Sequence, residues 1–312
     1  MLFRLNNKRN LKNYLLLLLL LFSFALGSEQ NSINSKIYFD FTRQEDGSNE
    51  FGIKRAYFTY KKNMSSDLSF TLQTDVDYQE TTSPKNIYLK KANVSWKNQF
   101  GRFSIGLIGM NMFNIHEKTW GNRFISKTAM DKNKYSSSAD FGIGIAKNIS
   151  TSWYINGMVT NGSGYKNSEN DKYKKLSLQL VSGQKNLSKN EGINFGTVFS
   201  HEPFHEDSVS TVIGVFSGYH KNSLRAGIEY NALKNRAKKT LASGYINWKK
   251  NKSFSVYCRY DLHTIKSDID SYMILGFGYT PESGLIIAPN IRIKKENDES
   301  STDFVINFQF SF

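Results

Sequence analysis

From Ser35 to the end of the chain, apolar and polar residues alternate with period two in segments of roughly ten residues, a pattern that builds strands with one oily and one wet face. In Leu68–Tyr78, Leu68, Phe70, Leu72, Val76 and Tyr78 alternate with Ser69, Thr71, Gln73, Asp75 and Asp77. Leu224, Ala226, Ile228 and Tyr230 alternate with Arg225, Gly227, Glu229 and Asn231, and Phe254, Val256, Cys258, Tyr260 and Leu262 with Ser255, Tyr257, Arg259 and Asp261. The last stretch, Asp303–Phe312, sets Phe304, Ile306, Phe308, Phe310 and Phe312 on one face and Val305, Asn307, Gln309 and Ser311 on the other. Further strands are predicted around Ile37–Thr42, Ile53–Tyr60, Tyr88–Trp96, Phe103–Gly109, Phe141–Ile145, Trp153–Val159, Leu176–Leu180, Ile193–Phe199, Val209–Val215, Ala242–Trp248, Met273–Tyr279 and Leu285–Ile293, which brings the total to sixteen. Pro289 inside one of them is a blemish that a strand tolerates at a bulge.

The polar faces carry ionisable groups, which the apolar inner face of a β-sandwich would not accept and a water-filled barrel would. The fold class expected is therefore all-β, a transmembrane antiparallel β-barrel of about sixteen strands with its oily face outward. Short connections such as Lys61–Asp67, Lys97–Gly101, Lys147–Thr151, Lys249–Ser253 and Pro281–Gly284 alternate with more polar ones, at Gln44–Glu50, Asn161–Lys172, His201–Asp207, Asn231–Lys239 and Glu296–Thr302. The first set reads as periplasmic turns and the second as extracellular loops. One connection stands apart: Asn111–Ser137 runs for 27 residues with Lys118, Arg123, Lys127, Lys132 and Lys134 against Glu117 and Asp131, a net +3. As the third extracellular loop it is expected to fold toward the lumen, with Trp120 and Phe124 as apolar anchors.

The amino terminus changes the picture of where the chain goes. Arg4, Lys8, Arg9 and Lys12 precede the leucine run Leu15–Leu21, and Ala25-Leu26-Gly27 offers small residues, so residues 1–27 read as a signal peptide and 28–312 as the barrel. Removing those four cations from a formal charge of +14 leaves +10. Cys258 is the single cysteine, so the chain forms no intrachain disulfide.

The terminal alternating strand ending on Phe312 resembles the closing strand of bacterial outer-membrane barrels, in which the last aromatic residue is read by the barrel-assembly machinery. Phe51–Val76, with Lys54-Arg55-Ala56-Tyr57 leading toward Asp75, together with Phe103–Phe113 and Asp140-Phe141-Gly142-Ile143-Gly144, resembles the phosphate-selective porin O and P family. The resemblance implies a sixteen-stranded trimeric diffusion channel in the outer membrane, surrounded by lipid and passing small anions or hydrophilic solutes, phosphate among them. It implies no enzymatic activity, no cofactor and no nucleic-acid partner.

Charge on the predicted inner face is nearly balanced: Arg55, Lys91, Lys175, Arg225, Arg259, Arg292 and Lys294 against Asp40, Asp75, Asp77, Asp140, Glu229 and Asp261. The residues expected to set selectivity are Arg123, Lys127 and Lys132 of the long loop, with Arg55, Lys91, Arg225, Arg259 and Arg292 of the wall. Two other readings are carried forward, a non-conducting barrel serving as adhesin or receptor and an outer-membrane hydrolase. His201-Glu202-Pro203-Phe204-His205 matches the letters of a zinc-protease helix, but Pro203 and the strand-like flanks speak against that helix and no metal site is expected.

Overall fold

A computed structural model describes residues 31–77, 86–169, 171–205 and 208–312; the expected signal peptide lies outside them. The strands are β1 (Asn31–Arg43), β2 (Asn49–Asn63), β3 (Leu68–Asp77), β4 (Asn86–Asn98), β5 (Gly101–Gly109), β6 (Ala139–Asn148), β7 (Trp153–Thr160), β8 (Lys175–Gly183), β9 (Gly192–His205), β10 (Ser208–Lys221), β11 (Leu224–Lys234), β12 (Lys238–Lys249), β13 (Phe254–Ile265), β14 (Asp268–Glu282), β15 (Leu285–Glu296) and β16 (Glu299–Ser311). Two short helices, α1 (Asn114–Trp120) and α2 (Ala129–Lys132), lie in the connection between β5 and β6.

Each strand pairs antiparallel with its neighbours in sequence, and β1 pairs with β16 to close the barrel. The seam is zipped to the last residue: the Ser35 amide donates to the Phe312 carbonyl at 3.1 Å and the Phe312 amide returns the bond at 3.3 Å. Closure leaves no unpaired edge, the condition for strands to cross a bilayer. The alternation has the polarity read from the sequence, with Ile228 64% exposed outside while its chain neighbour Glu229 is buried inside. Phe39 and Phe308 stack across the outer seam with ring centres 5.5 Å apart. An Arg substitution at Phe70, Ile228, Val256 or Phe308 is therefore expected to cost roughly 2–4 kcal/mol near the bilayer midplane, measured by unfolding in lipid vesicles, while Arg at lumen-lining Gln73 is tolerated. Equal cost on both faces would contradict this orientation. Asn231 is a correction to the simple inside–outside rule: it is inward but buried, and its Nδ2 donates to Glu229 at 2.8 Å, so it offers no open lumen to a longer side chain.

At the end of the barrel opposite the termini, the expected loops Asn231–Lys239 and Glu296–Thr302 shrink to residues 235–237 and 297–298, because the strands run on through them. Pairing continues to Lys234↔Lys238 and Glu296↔Glu299. Asn297 and Asp298 both have positive φ, 50° and 65°, the two-residue turn that matches the right-handed twist of a hairpin and that Asn and Asp tolerate. His201–His205 likewise belongs to β9 rather than to a loop.

No bulge forms at Pro289: pairs are missing from the β14–β15 ladder there, but the register is the same on either side, at Gly276↔Asn290 and Tyr279↔Ile287, and it shifts only between Tyr279 and Glu282. Two bulges elsewhere shape the interior. The register of β1 on β2 slips at Lys54, and that of β3 on β4 slips at Lys90. A bulge breaks strict alternation, so Lys54 and Arg55 both reach the inner face, as do Lys90 and Lys91. Lys54 lies 3.4 Å from buried Asp40, and Lys90 lies 3.3 Å from buried Asp75.

Candidate functional site

The connection at 110–138 folds into the barrel and packs against one side of the wall. Its entry and exit carry Met112, Phe113, Ile115, Ala129, Met130 and Tyr135, which meet an apolar patch on the inner wall formed by Val181, Val198, Val212, Phe216, Leu233 and Leu241. The tip carries Trp120, Phe124 and Ile125 into a second cluster with Tyr38, Tyr57, Tyr245, Tyr257, Tyr272, Ile274 and Ala288. Trp120 is wholly buried, and its Nε1 donates to the Ser126 carbonyl at 2.8 Å. The expected anchoring role of Trp120 and Phe124 thus has a direct physical basis: apolar rings leave lumen water for a patch of wall that is itself apolar.

Helix α1 ends at Gly121, in the left-handed region at φ 69°, where any side chain would run into the Arg225 guanidinium. Wall donors then read the loop backbone. Arg225 Nη2 and Asn247 Nδ2 each donate to the Trp120 carbonyl at 3.2 Å, Arg292 Nη2 donates to the Ile125 carbonyl at 2.8 Å, and Arg259 Nη1 donates to the Lys127 carbonyl. Arg259 is also held by Asp261, through Nε at 2.8 Å and Nη2 at 2.7 Å. Beneath α1, His116 lies 3.4 Å from Glu229, between the rings of Phe216 and Tyr245. Hydrogen bonds from charged donors contribute about 1.5–3 kcal/mol each, so this segment behaves as part of the wall.

Described residues line two chambers in the lumen. One, of about 580 Å³, is lined at the terminal end by Lys36, Lys90, Lys91, Arg102, Lys118 and Arg123 against Glu117. The other, of about 560 Å³, is lined by Lys54, Arg55, Arg123, Lys127, Lys132, Arg292 and Lys294 against Asp40. Tyr38 and Arg123 line both, and so form the neck between them. Arg123 is fixed there: it pairs with Glu117, lies 2.7 Å from Asp131, and donates from Nε to the Tyr57 hydroxyl at 3.4 Å.

The eight residues named from the sequence therefore separate into groups. Arg123 stands at the neck, Lys91 lines the first chamber, and Arg55, Lys127, Lys132 and Arg292 line the second. Arg225 and Arg259 face the loop and clamp it, and Arg292 does both. Arg55 is tied to Asp75 at 2.9 Å and to the Tyr88 hydroxyl at 3.1 Å. Lys127 is held loosely, 3.9 Å from Asp131. Lys132 stacks on the Tyr272 ring, 3.2 Å from its centre. Packing against that ring and the loop takes the ammonium partly out of water, and this loss of solvent pushes its pKa down to about 8.

The passage is far from the near-balance counted along the strands. The folded loop covers wall carboxylates such as Glu229 and Asp261, and the bulges add Lys54 and Lys90 to the inner face. Sequence reasoning missed those two lysines because strict alternation sends them to lipid. The doublets Lys54-Arg55 and Lys90-Lys91 in mid-strand signal an irregularity, since a lysine facing the bilayer core is costly, but they do not say where the register slips. Tyr38 and Tyr57 were missed because nothing in a single strand marks a neck.

His201 and Glu202 lie on opposite faces of β9. His201 Nδ1 contacts the Thr211 hydroxyl at 3.5 Å outside, and Glu202 pairs with Lys175 at 2.7 Å inside. The helical pairing that a zinc motif needs is not formed. Among the described residues, no group of three potential ligands could hold a metal ion.

The sixteen strands and the inserted loop define a closed antiparallel β-barrel of the outer-membrane class. No family model matches the sequence, and no curated protein sequence matches it. Among solved structures, OprB of Pseudomonas putida superposes with a TM-score of 0.70 at 9% identity, over 91% of this chain and 94% of that one. The anion-selective porin from Comamonas acidovorans gives 0.68 at 9% identity, over 90% and 99%. A trimer form of OmpT, an outer membrane protein of Vibrio cholerae, gives 0.66 at 12% identity, over 90% and 99%. These likenesses are ones of fold.

Proposed function

We propose that this protein is a porin of the bacterial outer membrane, exported by a signal peptide at residues 1–27, and that it passes small hydrophilic solutes by diffusion with a preference for anions. The observation that carries the reading is the lining of the lumen: on both sides of the Tyr38–Arg123 neck, cations outnumber carboxylates by six or more to one. In a narrow passage bounded by low-dielectric walls, such an excess acts on a passing ion with little screening. Phosphate, to which the early strands' resemblance points, is one anion this lining suits. The barrel belongs with surrounding lipid and, by analogy with the trimer form of one structural neighbour, in a homotrimer; Phe312 is its signal to the assembly machinery. The adhesin reading is weaker, since among the described residues the hairpins β11–β12, β13–β14 and β15–β16 end in two or three residues that display little to a partner. An enzymatic reading lacks support in the site geometry, and we assign the chain no catalytic role.

The test is the reversal potential across a planar bilayer in a salt gradient. The wild type is expected on the anion side, and the triple substitution Arg123→Gln, Lys127→Gln, Lys132→Gln is expected to move it toward cation permeability. Raising pH through about 8 should weaken the preference in part, because Lys132, with its depressed pKa, loses its charge there. Lys132→Gln alone should remove that pH step. A wild-type channel without anion preference at neutral pH rejects the selectivity; protein that inserts but never conducts rejects the porin itself.

A further inference from the structure

Outside the lumen, cations gather on one stretch of the rim at the end of the barrel opposite the termini. Leu224, Ala226, Ile228, Tyr230 and Ala232 of β11 face outward in turn, and the next outward position is Lys234. Register sets Lys238 of β12 directly opposite Lys234. The Lys266 amide donates to the Lys238 carbonyl at 3.3 Å, so Lys266 continues the row. On the other side Lys234 pairs with outward Thr211, and Thr211 with His201. One register row thus carries three lysines and a histidine, with Arg236 in the β11–β12 turn above it. Lys234, Arg236, Lys238 and Lys266 are all exposed.

Such a row is unfavourable by itself, because like charges directly opposite one another on neighbouring strands repel. Other lysines at this end are neutralised: Lys174 lies 3.7 Å from Glu169, and Lys295 lies 3.1 Å from Asp298. Among the described residues, none of Lys234, Arg236, Lys238 and Lys266 forms an ion pair with a carboxylate. The row also stands at a definite depth. From Leu224 to Lys234, at about 3.3 Å per residue and a tilt of about 40°, the strand climbs roughly 25 Å along the membrane normal, the height of the apolar band of an outer-membrane barrel. Trp248, 45% exposed and opposite Leu224, marks the other edge of that band. The lysines therefore sit where lipid headgroups begin. One step toward the band, Thr240 and Thr264 face each other across β12 and β13 on the same outer surface.

We propose that this row is a docking site for a phosphorylated membrane lipid, whose phosphate bridges Lys234, Lys238 and Lys266 and whose headgroup oxygens accept from the Thr240 and Thr264 hydroxyls. An anion there relieves the repulsion within the row, while its acyl chains stay in the layer that the outward face of β11 and β12 already meets. A free phosphate gains only the first of these. Lysine suits the task, since an ammonium on a flexible stem reaches a phosphate without a fixed angle of approach. The site requires the barrel and its membrane, and it is independent of the anion preference of the lumen.

The experiment measures the lipid retained by the intact protein, purified in a neutral detergent and mixed with equal amounts of phosphatidic acid and of diacylglycerol with the same chains, which lacks the phosphate. Phosphatidic acid is expected to be retained roughly tenfold over diacylglycerol, as attraction between a basic cluster and an anionic headgroup allows, and an equal concentration of inorganic phosphate should not displace it. Lys234→Gln, Lys238→Gln and Lys266→Gln together should abolish the preference, while conductance and reversal potential in a planar bilayer stay as in the wild type. Lys174→Gln with Lys295→Gln, which alters lysines that already have acid partners, should leave the preference unchanged. Should the triple variant fail to fold, Lys238→Gln alone removes the middle of the row and should lower the preference. Equal retention of the two lipids by the wild type overturns the site, as does a preference that the lysine variants keep. Displacement by inorganic phosphate would show a phosphate site without a lipid and overturns the docking as well.

Discussion

Replacing residues 121–129 by a short Gly-Ser link is expected to raise single-channel conductance roughly twofold or more, because the narrowest section of a pore dominates its resistance. The excised segment contains Arg123, one half of the neck, together with Phe124 and the lysine and carbonyl groups that close the second chamber. The barrel should survive the change. The entry and exit of the loop keep their own apolar contacts through Met112, Phe113, Ile115, Met130 and Tyr135, and the wall arginines released from their carbonyls regain water. Anion preference should fall at the same time, since Arg123 and Lys127 leave the passage. Unchanged conductance and unchanged reversal potential would place the neck elsewhere and would defeat the account of the loop as the constriction.

The second large effect is expected at Arg259. This side chain is 1% exposed, bonded to Asp261 on one edge and to the Lys127 carbonyl on another. Arg259→Met leaves the Asp261 carboxylate buried with only the Ser243 hydroxyl at 2.6 Å to satisfy it, and breaking one half of a buried ion pair costs about 3–5 kcal/mol. The loss should be read as a lower unfolding midpoint in detergent and as noisier open-channel current, because the loop loses one of its clamps. The double change Arg259→Met with Asp261→Leu removes both charges and should recover most of the stability while leaving the current noisy, since the Lys127 carbonyl still lacks its donor. A double variant no more stable than the single one would show that the pair is not the source of the cost.

The distribution of arginine explains why selectivity was only partly legible in the sequence. Arg55, Arg225, Arg259 and Arg292 all lie on inward positions, as alternation requires, yet inward describes three environments here. Arg259 is sealed under the loop, Arg225 grips its backbone, and Arg55 and Arg292 border open space. No local pattern distinguishes these, because the difference depends on which wall the loop lies against. That choice follows from the inward apolar residues of β8 to β12, among them Val181, Val198 and Leu241, which are unremarkable strand by strand and form a patch only when the strands are side by side. The turn at Asn297-Asp298 is a different case: the tight-turn residues were in view, and the surrounding charges disguised a two-residue hairpin as a loop.

Period-two alternation, the aromatic final strand and the long basic connection were enough to determine the barrel, its sixteen strands and the segment that enters it, since each expresses a local rule about which side of a strand meets lipid. The tertiary structure alone decided the inner positions of Lys54 and Lys90, through register slips against neighbouring strands; the burial of Glu229 and Asp261, through a cover 100 residues and more away in sequence; and the meeting of Tyr38 with Arg123. A net charge counted along strands treats every inward side chain as equally wet. The field along the passage depends on which charges the fold leaves facing water, and that is settled by long-range contacts that no strand encodes by itself.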